Sequence, residues 1–258
     1  MLKKLRVHIS PVGFDIDRVV IPLEELNADK VWLISEKDEK TDEAQPYIDE
    51  IRKKLKTKRI LNKTKKCSIR NLFDVLHIYK EIIDEEQKEG HEIFFNVSTG
   101  SKIEAIAGMM ACMMFRTDKL NINAYYVVPK VYSTRPKKGK RKKIEGLSRG
   151  CKEIIELPHY RIEKPSNKLI NALRIIDKYE DGISKKLLIK AAKEEKLFII
   201  KEDAKSIAAS EHSAINKGII EPLEEWGFVE RKGKGKRGKI IITKDGKNAL
   251  YFLNNKKS

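Results

Sequence analysis

Apolar residues along this chain fall into two kinds of run: short unbroken blocks, and longer stretches in which they recur every three or four positions. The blocks Leu5 to Ser10, Lys30 to Ile34, Arg59 to Leu61, His91 to Val97 and Asn121 to Val128 predict five strands. A helix is predicted from Asp15 or Asp17 to about Asn27, with Pro22 kinking it or shifting its start. Ile48, Ile51 and Leu55 keep helical spacing within residues 42–56. Leu72, Val75, Leu76, Tyr79, Ile82 and Ile83 line one face of a long amphipathic helix over Ser68 to Glu89. A further apolar-periodic run follows Lys102 and ends near Arg116. Strands alternating with helices predict an α/β fold with a Rossmann-like, doubly wound parallel sheet.

In such a sheet, of order 3-2-1-4-5, the first and fourth strands are neighbours. Their helices leave on opposite faces, and ligands bind in the crevice at their carboxyl ends. Two turns follow those two strands: Pro11-Val12-Gly13-Phe14 and Asn96-Val97-Ser98-Thr99-Gly100-Ser101-Lys102. In the second, the order strand, small-residue turn, helix aims free amides and a positive dipole end at an anion. Ser98, Thr99 and Ser101 add hydroxyls, Gly100 allows close approach to the backbone, and Lys102 adds a point charge. Taken alone, this turn also reads as a capped helix start with no ligand. The convergence of two turns favours a site, with Pro11, Val12, Gly13, Phe14, Asn96, Ser98, Thr99, Gly100, Ser101 and Lys102 as candidate ligand-binding residues.

The helix after the second turn is apolar nearly all round. Ile103, Ile106, Ala107, Met110 and Met114 form one stripe, and Ala105, Gly108, Met109 and Cys112 lie off it. A helix of this kind needs cover on two sides, by the sheet and by another helix or a second subunit, so a homodimer is expected. Beyond Lys130 the chain reads as a hairpin with a charged tip, residues 135–143 holding seven cations in nine positions. A solvated loop, a phosphate-contacting arm and a lid over the crevice are the open readings.

Residues 158–166 carry two prolines and mixed polarity, and read as a linker between a ligand-sensing, dimerising domain over 1–157 and a second domain over 167–258. The second domain offers amphipathic helices over Asn167 to Tyr179, Ser184 to Lys196 and Ser210 to Trp226. Two short strands follow, Phe228 to Glu230 and Ile240 to Thr243, and a last helix over Asp245 to Leu253. Three helices, a basic hairpin and a helix make a winged helix-turn-helix, whose third helix enters the major groove of double-stranded DNA. The candidate DNA-binding residues are Ser210, Glu211, His212, Ser213, Asn216 and Lys217 on that helix. On the wing they are Arg231, Lys232, Lys234, Lys236, Arg237 and Lys239. The segment Leu197 to Ala209 makes the connection before that helix longer than a tight turn. Gly233 to Gly238 satisfies GxGxxG, and Gly233 to Ile240 nearly a P-loop, but both lie between two strands and open no helix, so both nucleotide readings fail.

Charge adds to this picture. The chain carries a formal +17. Residues 158–258 hold 23 cations against 14 anions, more basic per residue than residues 1–157, and that argues for a polyanion partner there. Cys67, Cys112 and Cys151 are odd in number and far apart, with no CxxC pair or Cys/His cluster, so no metal is expected and a reducing, cytoplasmic setting is. The longest apolar run, Ala105 to Phe115, is too short to span a bilayer. No Ser-His-Asp spacing, HExxH or paired carboxylates stand out, so no catalytic residue and no cofactor are expected.

With these segments assembled, the chain resembles archaeal transcriptional regulators that join a CARF domain (CRISPR-associated Rossmann fold) to a winged helix-turn-helix. The resemblance is carried by residues 7–20, by Ala28-Asp29-Lys30-Val31 and by Asn96 to Lys102. It implies a homodimer with a ligand site on the two-fold axis, and an anionic nucleotide, a cyclic oligoadenylate in the wider family, as effector. Better-known members carry two adjacent glycines where this chain has Thr99-Gly100-Ser101. A ring nuclease that cleaves its cyclic ligand is the alternative, with Ser98, Thr99 and Lys102 as candidates. An RxxxxH pair of the HEPN ribonuclease type is absent from the sequence.

Overall fold

The computed structural model describes residues 4–38, 40–117, 120–132, 146–158, 160, 162–198, 207–233 and 238–253. Its two compact units are Met1–Ile162 and Glu163–Ser258. The first contains strands β1 (Arg6–Pro11), β2 (Lys30–Glu36), β3 (Leu61–Cys67), β4 (Glu92–Asn96), β5 (Ile122–Val128), β6 (Val131–Tyr132), β7 (Ser148–Arg149) and β8 (Glu153–Leu157). Its helices are α1 (Asp17–Glu25), α2 (Gln45–Thr57), α3 (Leu72–Lys88) and α4 (Lys102–Phe115). The main sheet runs β3-β2-β1-β4-β5-β8, parallel from β3 to β5, with β8 antiparallel on β5. The predicted 3-2-1-4-5 order is present.

Helices cover both faces. On one, Val19, Leu23, Ile48, Ile51 and Leu55 of α1 and α2 pack on Val31 and Leu33, all fully buried or nearly so. On the other, the Tyr79 ring of α3 meets Phe95 edge-on at 5.0 Å. A Cβ on Gly108 would lie 3.1 Å from Val97 Cγ1 and 3.4 Å from Phe95 Cδ1, so a larger residue there would make those side chains give way.

Several boundaries differ from the sequence expectation. The third strand starts at Leu61, where the expected strand ended, and its residues are mostly polar. It is an edge strand, and its lysines pair with α3 (Lys63 with Glu85 at 2.9 Å, Lys65 with Glu81 at 3.2 Å). Charge of this kind blunts an exposed edge against unwanted pairing, and it erases the apolar alternation. Strand β8 was not anticipated: two glutamates interrupt its apolar residues, and it has no fully buried position. Neither Asp15 nor Asp17 caps α1, whose N-cap Ile16 makes no side-chain bond. Pro22 lies inside α1 and cannot donate to the Arg18 carbonyl four residues back. Asn96 Nδ2 donates to that carbonyl instead, at 2.8 Å.

The second unit holds α5 (Asn167–Asp177), β9 (Ile183–Ser184), α6 (Lys185–Glu194), α7 (Ile207–Ile215), α8 (Glu221–Glu225), β10 (Val229–Lys232), β11 (Lys239–Ile242) and α9 (Lys244–Leu253). Ser166 caps α5 and Ser184 caps α6 through their side chains. Strands β10, β11 and β9 form a three-stranded antiparallel sheet with β11 central. Leu173, Ile176, Leu188, Ile215, Ile219 and Leu223 are buried at the centre. The predicted third helix is interrupted by a π-helical turn over Asn216–Ile220. The cause is Pro222, which has no N–H for the Gly218 carbonyl and whose ring would collide with it in a regular helix.

Candidate functional site

The two corners meet at the carboxyl ends of β1 and β4. A Cβ on Gly13 would stand 3.3 Å from the Gly100 nitrogen. Gly100 has φ +75°, and a Cβ there would lie 2.4 Å from Pro11 Cβ and 2.6 Å from Glu104 Oε2. Only glycine combines that backbone with that space. Thr99 Oγ1 donates to the Pro11 carbonyl at 2.7 Å and ties the corners together.

Most of the hydroxyls expected to face a ligand are engaged in building the corner. Ser98 Oγ accepts from the Val127 amide at 2.6 Å, which binds the turn to β5. Ser101 Oγ accepts from the Glu104 amide at 3.2 Å and donates to the Ile69 carbonyl at 3.3 Å. Asn96 Oδ1 accepts from the Ser98 amide at 3.0 Å. Pro11, Val12, Asn96 and Thr99 are buried; Gly13, Phe14, Ser98 and Ser101 are half-exposed, and Gly100 and Lys102 are exposed. Phe14 leans edge-on against Tyr47 at 5.4 Å. What the crevice presents to an anion is therefore backbone and charge: the exposed Gly100 peptide, the first-turn amides of Lys102 and Ile103, which the helix cannot satisfy itself, and the Lys102 ammonium.

Two residues missed in the sequence complete the surroundings. Arg18 is 6% exposed; its Nε donates to the Val127 carbonyl at 3.0 Å and its guanidinium lies 5.1 Å from the Tyr126 ring centroid. It pairs with Asp15 at 3.5 Å, so the charge it brings beside the first corner is part of a part-buried ion pair. Glu104 completes a capping box with Ser101, its Oε2 accepting from the Ser101 amide at 2.6 Å. Burial, above all, lifts its carboxyl to about 7, with Glu36 adding to the rise. The Ser101-x-x-Glu104 spacing was the signal for it. Deeper in the sheet, burial and Arg6 lower His8 to about 3, so the ring is neutral; it stacks on Phe94 at 5.0 Å and its Nδ1 lies 3.0 Å from Tyr125 Oη. His8 is a core residue.

The hairpin after β5 is rooted in the first corner. Leu147 N donates to the Phe14 carbonyl at 2.9 Å, Ser148 Oγ to Asp15 Oδ1 at 2.7 Å, and Gly150 N to Asp17 Oδ2 at 2.8 Å. This is the work of the two aspartates expected to cap α1. The basic stretch 135–143 lies outside the described residues.

Of the stripe read on α4, Ala107 is buried, while Ile103, Ile106, Met110 and Met114 lie on its more exposed side. Small residues, Ala107, Gly108, Ala111 and Cys112, face the interior with Glu104 and Phe115. Ile103, Met109, Met110, Met113 and Met114 are half-exposed, and Ile106 is 54% exposed. Apart from Phe115, the larger apolar side chains point outward.

In the second unit, His212, Ser213 and Lys217 are exposed and Ser210, Glu211 and Asn216 half-exposed. Glu211 pairs with Lys193 of α6, and Arg231 of β10 with Glu224 at 2.9 Å. Lys232 and Lys239 face each other across the wing stem. Lys234, Lys236 and Arg237 lie outside the described residues. GxGxxG occupies the connection between antiparallel β10 and β11, which removes the nucleotide-loop reading. A cleft of about 980 Å³ runs between α6, α7 and the wing, lined by Ser184, Lys185, Lys186, Ile189, Lys190, Lys193, Glu211, His212 and Gly238. The α6 lysines were not among the expected contacts, although their spacing along one helix was visible.

Among the described residues no cluster of His, Cys, Asp or Glu is arranged to hold a metal, and no helix is long and apolar enough to cross a membrane. Burial raises the Cys67 thiol to about 12 and the Cys112 thiol further.

Residues 6–132 match the family described as "HFX_2341_N:-like, N-terminal", and residues 168–254 match the DUF6293 C-terminal winged helix domain. The chain is 32% identical over 163 residues to the uncharacterized protein MJ1513 of Methanocaldococcus jannaschii, covering 60% of this chain and 44% of that relative. It thus spans less than half of that relative's length. Among solved structures it is similar to Enterococcus italicus Csm6 bound to cyclic hexa-2'-fluoro-hexa-dAMP, with 14% identity, TM-score 0.40, 86% of this chain and 54% of that one. It is also similar to Can2 from Sulfobacillus thermosulfidooxidans in complex with cyclic tetra-adenylate, with 13% identity, TM-score 0.40, 96% of this chain and 63% of that one.

Proposed function

We propose that the chain, whose residues 6–132 match the HFX_2341_N:-like N-terminal family and whose residues 168–254 match the DUF6293 C-terminal winged helix domain, is a ligand-responsive, DNA-binding transcriptional regulator. The effector is an anionic nucleotide, with a cyclic oligoadenylate the member of that class first to be tried. It docks where the two corners meet. The observation that carries this reading is the packing of Gly13 against Gly100, which sets two backbone corners and the start of α4 around one exposed point.

A second copy covers the outward Ile106 and methionine face of α4 and forms a homodimer. The ligand then biases the geometry of the pair, and with it the spacing of the two DNA-reading helices. Such coupling is reciprocal, so duplex DNA alters ligand affinity by the same factor. The α6 lysines and the wing supply phosphate contacts, and His212, Ser213 and Lys217 face the bases.

Fluorescence anisotropy with a labelled duplex at rising salt tests the DNA half. The expected result is an affinity that falls steeply with salt; no salt-sensitive duplex binding would overturn it. Thermal shift against a nucleotide panel tests the ligand half, since a molecule that binds only the folded state raises the melting temperature. The ring-nuclease alternative would use Ser98, Thr99 and Lys102; the hydroxyls of Ser98 and Thr99 are held in internal hydrogen bonds, and of the three only Lys102 is exposed. That favours binding over cleavage, and multiple turnovers of labelled cyclic oligoadenylate would reverse the choice.

A further inference from the structure

Beneath the second corner lies a carboxyl that capping alone does not explain. Glu104 is 1% exposed. Its Oε2 accepts from the Ser101 amide at 2.6 Å, while Oε1 is equally buried and has no partner among the described residues. A Cβ on Gly100 would fall 2.6 Å from Oε2, so the carboxyl presses directly on the inner side of the Gly100 peptide, a residue that is itself exposed. An anion docked at the corner and an ionised Glu104 would stand on either side of one peptide unit, at a poorly hydrated place where like charges repel strongly.

The groups around Glu104 sharpen this. Glu36 at the end of β2 is a second carboxylate acting on it. Asp74 of α3 and Cys67 of β3 share the same neighbourhood, as the thiol responds to Glu104, Asp74, Glu36 and Lys37 together. Tyr79 of α3 donates to the Glu104 carbonyl at 3.3 Å and also senses Cys67 and Cys112. Of the cations, Lys37 is 62% exposed and pairs with Asp74 at 3.8 Å, and Lys102 is exposed on the first turn of α4. The buried surroundings are thus net acidic, and burial already lifts the carboxyl to about 7.

We infer that Glu104 is a positioning residue that links a proton to ligand binding: an anion held on the Gly100 and Lys102 backbone is bound together with a proton taken from solvent onto Glu104. The protonated carboxyl still accepts from Ser101, so the capping box survives, and Oε1 gains the capacity to donate. This rests on the corner being an anion site. The probe is cyclic tetra-adenylate, whose phosphodiesters do not titrate near neutrality, added to the full-length chain in isothermal calorimetry from pH 6 to 8.5.

The dissociation constant is expected to be flat at low pH and to rise by up to about tenfold per pH unit above about 7. Repeating the titration in buffers of different ionisation enthalpy should show net proton uptake. Glu104→Gln keeps the acceptor for Ser101, binds as tightly as the protonated wild type, and loses both the pH slope and the proton uptake. Glu36→Gln keeps the slope and moves its midpoint to lower pH. A pH-independent constant in the wild type, or a slope that survives Glu104→Gln, overturns this inference and leaves the anion site standing. Absence of binding by wild type and Glu104→Gln at every pH overturns the nucleotide reading and this inference with it.

Discussion

Substituting Gly100 by alanine separates packing at the corner from backbone preference. The residue has φ +75°, and the left-handed region costs a non-glycine residue about 1–2 kcal/mol. The added Cβ would also lie 2.4 Å from Pro11 Cβ and 2.6 Å from Glu104 Oε2, neither of which can withdraw freely: Pro11 is a ring at the end of β1, and Glu104 is held by Ser101. Overpacking of that kind adds about 1–3 kcal/mol, so the expected loss is about 2–5 kcal/mol. Gly90 is the control: its φ is +72°, and a Cβ there meets nothing within 4 Å, so Gly90→Ala should lose only the backbone share. Trp32 is buried in the first unit and Trp226 belongs to the second, so a Trp226→Phe background lets Trp32 fluorescence report the first unit alone. In thermal unfolding, each kcal/mol should lower Tm by about 2–4 °C for a domain of this size. Equal losses for Gly100→Ala and Gly90→Ala would refute the claim that the two corners are packed against each other.

Three further outcomes follow from the same geometry. Asn96→Ala strips the donor from the Arg18 carbonyl that Pro22 leaves unpaired, and should cost about 1–3 kcal/mol by denaturant unfolding; loss below about 0.5 kcal/mol would mean the carbonyl is satisfied otherwise. Lys186→Ala and Lys190→Ala should each weaken duplex binding evenly across sequences and reduce the salt slope by about one, measured by anisotropy; a change confined to one sequence would make them base readers instead. Ile106→Glu should convert the proposed dimer to a monomer in sedimentation and lower Tm of the first unit only by what association contributes, because that side chain is 54% exposed in the single chain.

Strand order was legible because buried parallel strands read as apolar blocks, and the two corners followed from topology once β1 and β4 were neighbours. The edges were not legible. β3 and β8 carry charges that protect an open edge, and those charges hide the strand period. The hydroxyls of Ser98, Thr99 and Ser101 announced a polar turn, but sequence cannot say whether a hydroxyl faces ligand or backbone, and here each bonds to the protein. On helix α4 the need for cover on two sides was legible, but not which side faces the sheet: small residues and Phe115 take the interior, and the other large apolar residues are left outside. In the second unit, Ser184 was readable as a cap, while the π-helical turn needed the clash of Pro222 with the preceding turn to be worked out in space.

Amide hydrogen exchange of the full-length chain, with and without cyclic tetra-adenylate, bears most directly on whether the two corners act as one site. Slowed exchange in peptides covering residues 11–14 and 98–104 together is the predicted result, since both corners close on the same anion. Protection of only one of these segments, or protection confined to other parts of the chain, would contradict it.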